Sequence, residues 1–100
     1  MLRARLIFLT STLLLMPFSA VATGLFECEV TERASWLSEA ELTKKLEAQG
    51  WSVRRMKVDG GCWEVYGNNP EGERVEGYFN PITGDAKLIA QRGRILFRAD

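Results

Sequence analysis

The sequence predicts an α+β module: one α-helix packed on a three- to four-stranded antiparallel β-sheet, preceded by a cleaved N-terminal signal peptide. Three observations carry this reading. A segment opening on Ser38 has a helix start, an apolar stripe and a helix stop. Residues 52–91 alternate apolar and polar side chains with a period of two, between turns rich in glycine and proline. The first 22 residues follow the pattern of an export signal.

In that leader, Arg3 and Arg5 form a basic start, residues 6–18 are a thirteen-residue apolar run, and Ala20-Val21-Ala22 supplies small residues before a cleavage site. A permanent span needs ~20 apolar residues, and this run is too short. Phe26-Glu27 ahead of Cys28 departs from the small residues a lipoprotein signal requires. The expectation is removal of residues 1–22, a periplasmic or secreted protein and no permanent membrane span. A lead-in over 23–36 and a domain over 37–100 remain.

Cleavage would leave 78 residues with eleven basic and thirteen acidic side chains, a net charge of −2. That balance argues against a nucleic-acid partner, whose binders show a basic excess. A domain this small buries only ~60% of its unfolded surface and is marginal without a staple. Cys28 and Cys62, far apart and lacking C-x-x-C spacing, are expected to supply it as one structural disulfide. The rival reading is two free thiols, but no neighbouring cation stands ready to activate either. The sequence contains no histidine. That removes the commonest general base and every Ser-His or Cys-His pair. No cofactor, metal or catalytic residue is expected.

Residues 23–36 are too mixed in pattern to assign, and are expected to lie across the domain or form a short edge strand. Ser38-Glu39-Ala40-Glu41 then reads as a capping box, with Leu37 and Leu42 as its hydrophobic staple. Leu42 and Leu46 fall one turn apart on the inward stripe. Gly50 stands where a left-handed C′ residue is wanted, with Trp51 able to pack back on Leu46. These bounds predict a helix over 39–49.

Residues 52–58 should form the first strand, with a bulge near Arg54-Arg55 because Val53 has the wrong parity for Met56 and Val58. Asp59-Gly60-Gly61 is a hairpin turn. Strands over 62–67 and 74–80 follow, joined by a turn with Pro70 at its second position and Gly72 at its end. Trp63, Val65, Val75 and Phe79 should face the helix. Asn80-Pro81-Ile82-Thr83-Gly84 is an Asx-assisted turn. A further strand over 86–91 should turn Leu88 inward with Ala90 or with Ile89. Residues 92–100 read either as a fifth short strand or as a tail, broken by Gly93.

This order of helix, hairpin and closing turn resembles the PepSY domain family. The likeness is carried by Gly50-Trp51, Asp59-Gly60-Gly61, Trp63-Glu64-Val65-Tyr66, Gly72, Val75-Glu76-Gly77-Tyr78-Phe79 and Asn80-Pro81-Ile82-Thr83-Gly84, across residues 37–89. Asn80 stands where the family usually has aspartate, and Gly77 where a β-branched residue is common. The resemblance implies a helix on an antiparallel sheet and a non-enzymatic role, with restraint or inhibition of a peptidase the role usually suggested.

Candidate binding residues follow from the face opposite the helix. Glu64, Tyr66, Glu76 and Tyr78 share its parity and would meet a partner if uncovered, or serve as ordinary cross-strand pairs if the lead-in covers them. Trp36 is a second candidate, either a binding aromatic or part of the core. Glu71, Glu73, Glu76 and Asp85 lack the spacing of a calcium loop. Arg92, Arg94 and Arg98 suit anionic lipid or an acidic partner on one reading, and a defended edge strand on the other. The leading expectation is an exported binding module whose partner is another exported or envelope protein. The alternative is a small ligand-handling accessory or enzyme with a pocket between helix and sheet.

Overall fold

A computed structural model describes residues 24–99; the leader over 1–22 lies outside them. Within that span, a 3₁₀ turn at Arg33–Ser35 leads to helix α1, Glu39–Ala48. Strands β1 (Ser52–Asp59), β2 (Cys62–Asn68), β3 (Arg74–Phe79), β4 (Ala86–Gln91) and β5 (Arg94–Arg98) follow. They form one antiparallel meander in the order of the chain.

Both ends of α1 are closed by side-chain and backbone groups that would otherwise lack partners. The Ser38 hydroxyl accepts from the Glu41 amide at 3.0 Å, and the Glu41 carboxylate accepts from the Ser38 amide at 3.5 Å. At the other end Gly50 has φ +98°, the Gly50 amide donates to Glu47 O and the Trp51 amide to Leu46 O, both at 3.0 Å. This is a Schellman end, and it turns Trp51 back under the helix. Leu42 and Leu46 are fully buried, in one cluster with Trp51, Met56, Trp63, Val65, Val75 and Phe79. The predicted inward face of the sheet is therefore the one the helix covers.

Two glycines of the sheet record how tightly this side is filled. A Cβ on Gly77 would lie 2.7 Å from the Phe79 ring and 3.6 Å from Trp51. The Phe79 ring occupies the space a side chain at Gly77 would take, and it meets the Trp51 indole edge to face at 5.4 Å. A Cβ on Gly67 would collide with the Ser52 carbonyl. There the β1 bulge, which shifts register between Val53 and Arg55, presses onto β2.

The turn at Asn80 fastens the helix to the sheet. The Asn80 side chain accepts from the Ile82 and Thr83 amides at 2.9 and 3.3 Å. The Leu37 amide donates to Pro81 O at 2.8 Å, and the Lys45 ammonium to Thr83 O. The Trp63 indole donates to Leu37 O at 3.0 Å.

The sheet has five strands, not three to four. Arg92 and Gly93, with φ +49° and +80°, make a two-residue turn of the kind whose twist matches a hairpin. Gly93 therefore turns the chain into β5 instead of ending the sheet. Leu88 and Ala90 point to the face away from the helix, while Ile89 packs on the helix-side core. Helix and strand ends otherwise agree with the predicted ones to within a residue or two, as end fraying allows.

Candidate functional site

The face away from the helix is best followed as rows across the strands. One row runs Lys57, Glu64, Tyr78, Leu88, Arg98 and the next Arg55, Tyr66, Glu76, Ala90, Ile95. The bulge in β1 puts Arg55 and Lys57 in these rows.

The lead-in closes one end of this face. Cys28 and Cys62 form the expected disulfide, with Cα atoms 5.2 Å apart. The Cys28 amide also donates to Gly60 O at 2.8 Å. Residues 24–31 form no strand; they cross the face as an extended strap, laying Leu25, Phe26 and Cys28 over Cys62, Tyr78, Leu88 and Ala90. The buried Tyr78 hydroxyl accepts from the Leu25 amide at 3.3 Å and donates to Asp59 Oδ2 at 3.2 Å. Asp59 Oδ2 also accepts from the Gly24 amide at 3.4 Å. Thus Tyr78, for which the sequence left both an open face and a cover by the lead-in, is fully buried beneath the strap and holds it in place.

Glu64 is fully buried as well, at the border of the strap. The Tyr66 hydroxyl donates to Glu64 Oε1, and the Lys57 ammonium stands 3.9 Å from Oε2. Burial pushes the Glu64 carboxyl up from an ordinary 4.5 to about 7. The Tyr66 hydroxyl pulls against that rise, the carboxyls of Asp59 and Glu76 add to it, and Lys57 opposes it. Burial, followed by the hydrogen bond to Glu64, also holds the Tyr66 phenol well above its ordinary range.

Beyond this border the face is open. Tyr66 and Glu76 are half-buried, and the Arg55 guanidinium and Lys57 ammonium each lie 5.6 Å from the Tyr66 ring centroid. Around them lies a groove of about 930 Å³, reaching from Arg54 and Arg55 past Arg74 to Arg92 and Arg94. All five arginines are exposed. A second cavity, about 400 Å³, lies beside the strap at Phe26, Asn80 and Ile82.

Trp36 is not brought to this site. It is half-buried beside the helix-side core, edge-on to Trp63 at 5.6 Å, with its indole donating to Thr31 Oγ1 at 2.9 Å. The Arg33 guanidinium covers its outer face at 4.4 Å. Of the five candidates, the structure gathers Glu64, Tyr66, Glu76 and Tyr78 and leaves two of these, Tyr66 and Glu76, within reach of a partner. Arg54, Arg55 and Arg74 were not singled out as site residues. The signal for Arg55 was present: the bulge expected at Arg54-Arg55 sets it opposite Tyr66.

Among the described residues no cluster of His, Cys, Asp and Glu could hold a metal ion, and no helix is long and apolar enough to cross a membrane. A helix over one side of a strapped antiparallel meander defines a small two-sided α+β module. The chain belongs to the PepSY_2 family, described as the peptidase propeptide and YPEB domain, which matches residues 6–87. That match ends early in β4, so the β4–β5 turn and β5 lie beyond it. No curated protein and no solved structure matches the chain.

Proposed function

We propose that this protein is a non-catalytic, exported binding module that presents the open end of its strapped sheet face to another exported or envelope protein. In this reading residues 1–22 direct export and are removed, residues 23–36 form the strap, and residues 37–100 form the binding module. The partner class suggested by the family description is a peptidase, which the module would restrain.

The observation that carries the reading is the contrast between a filled helix–sheet interface and an open groove. Leu42, Leu46 and Val65 are all fully buried, which leaves little room for the helix–sheet pocket of the ligand-handling alternative. The groove instead is lined by residues of the strands and the β4–β5 turn, none from the helix, with exposed guanidinium groups around Tyr66 and Glu76.

A photo-crosslinking residue placed at Gln91 in the groove, with Lys44 on the exposed side of α1 as the control, tests this in intact cells. The expected result is a protein adduct from position 91 that excess unlabelled protein displaces. The same purified partner, if a peptidase, should lose activity on addition of the module. Adducts that form equally from position 44, or substrate turnover by the isolated protein, would overturn it.

A further inference from the structure

The groove's charge identifies what kind of segment it takes. Five arginines line it against one carboxylate, Glu76, in a chain whose basic and acidic side chains balance at 13 each. Among the described residues no carboxylate stands within ion-pair distance of any of the five. The ion pair on this face belongs to Lys57 and Glu64. Positive charge is therefore concentrated here and left for an external anion.

The arrangement is linear. Arg54 and Arg55 lie on β1, Arg74 opens β3, and Arg92 and Arg94 stand at the β4–β5 turn. From β1 to β5 are four strand spacings, about 19 Å, the length of roughly six extended residues. A single small anion would need donors gathered at one point, whereas donors spread over this length match a string of carboxylates. Each guanidinium can hold a carboxylate in a bidentate pair. The balance of 13 basic against 13 acidic side chains favours a peptide over a nucleic acid, whose binders show a basic excess over the whole domain.

We propose that the groove between Arg55 and Arg94 binds an extended, acidic segment of a partner protein, about six residues long. This rests on the binding-module reading above and adds the chemistry of the ligand. Two of the five arginines, Arg92 and Arg94, lie outside the residues matched by the family. The specificity is thus written partly into this chain's own β4–β5 turn.

The test is fluorescence anisotropy of the protein, purified with its disulfide intact, against a capped, labelled hexaglutamate peptide. Hexalysine, a six-nucleotide oligothymidylate and vesicles of phosphatidylglycerol and phosphatidylcholine are compared alongside. Hexaglutamate should bind, weakening as salt screens the pairs, and hexalysine should not. Arg74→Glu with Arg92→Glu should weaken binding at least about tenfold, the ratio that a loss of 1.4 kcal/mol corresponds to. Arg74→Gln with Arg92→Gln should weaken it less, in the same direction. Both arginines are exposed, so an unchanged melting temperature confirms that the variants fold. Binding unaffected by either pair of substitutions, or oligothymidylate or vesicles binding more tightly than hexaglutamate, would overturn the proposal. Position 91 capturing a partner while hexaglutamate fails to bind would sink the acidic-segment inference alone and leave the binding module standing.

Discussion

Val65 and Glu64 are neighbours in β2, both fully buried, and what buries them differs. Val65 lies in a core of apolar side chains closed by Leu42 and Leu46, with Gly77 making room for Phe79 and Trp51. Glu64 lies at the edge of a strap, its carboxyl held by Tyr66 and approached by Lys57. One side of the sheet is sealed by area and shape. The other is sealed by a disulfide, a smaller apolar cluster under Leu25 and Phe26 and a few polar contacts, and only at one end. The first is closed by packing, and the second keeps Tyr66 and Glu76 only half-buried.

The strap supplies the largest way to break that contrast. The disulfide closes a loop of 34 residues. Replacing both cysteines by alanine is expected to destabilise the protein by about 3–4 kcal/mol on the chain-entropy estimate. Urea unfolding measures it. Hydrogen exchange should show the amides of Leu25 and Cys28 losing protection before those of α1. Equal loss on both sides would mean that the two faces are one cooperative unit.

Glu64 gives the next largest effect. Its carboxyl in the fold titrates near about 7, above its ordinary 4.5. Between those values the folded chain binds more protons than the unfolded one, so the stability this group contributes is full at low pH and falls as pH rises through the window. The loss amounts to at most about 3 kcal/mol. Glu64→Gln should remove this fall, which unfolding curves from acid to mildly alkaline pH would show as a flatter profile. A variant with the same slope as the parent would assign the titration to another group.

On the helix side the expected effects come from shape. Gly77→Val would push a branched side chain into the Phe79 ring and is expected to destabilise by about 1–3 kcal/mol through overpacking. Thermal melting measures it. A stabilised variant would mean that the Phe79 ring can move aside.

These regions also differ in how far they could be read from the sequence. The helix side was legible because each feature is local: Ser38 and Glu41 lie three residues apart, Gly50 follows the stripe, and Val65 and Phe79 alternate within their strands. The disulfide was legible from two cysteines in an exported-looking chain. The strap's path was not, because residues 24–31 have no period and are placed by Asp59 and Tyr78, 35 and 53 residues away. Whether Tyr78 and Glu64 were open or covered stayed undecided for that reason: parity tells which face a side chain takes, and nothing local tells what covers it. The groove was missed because its arginines come from β1, β3 and the β4–β5 turn and meet only once the sheet's order is known. The fifth strand was left open because Arg92 enters the left-handed region at φ +49°, which a non-glycine residue seldom does.

The smallest expected effect separates the two faces most cleanly. Gly50→Ala puts a Cβ at φ +98°, where an L side chain is strained, although the space is adequate: the nearest atom would be Pro70 Cβ at 3.4 Å. The strain should lower stability by about 1 kcal/mol. Because Gly50 ends α1 and lines no part of the groove, affinity for hexaglutamate should stay unchanged while the melting temperature falls. If affinity falls as well, the helix end and the groove are coupled through Trp51 and the sheet, and a partner on one face would then register changes made on the other.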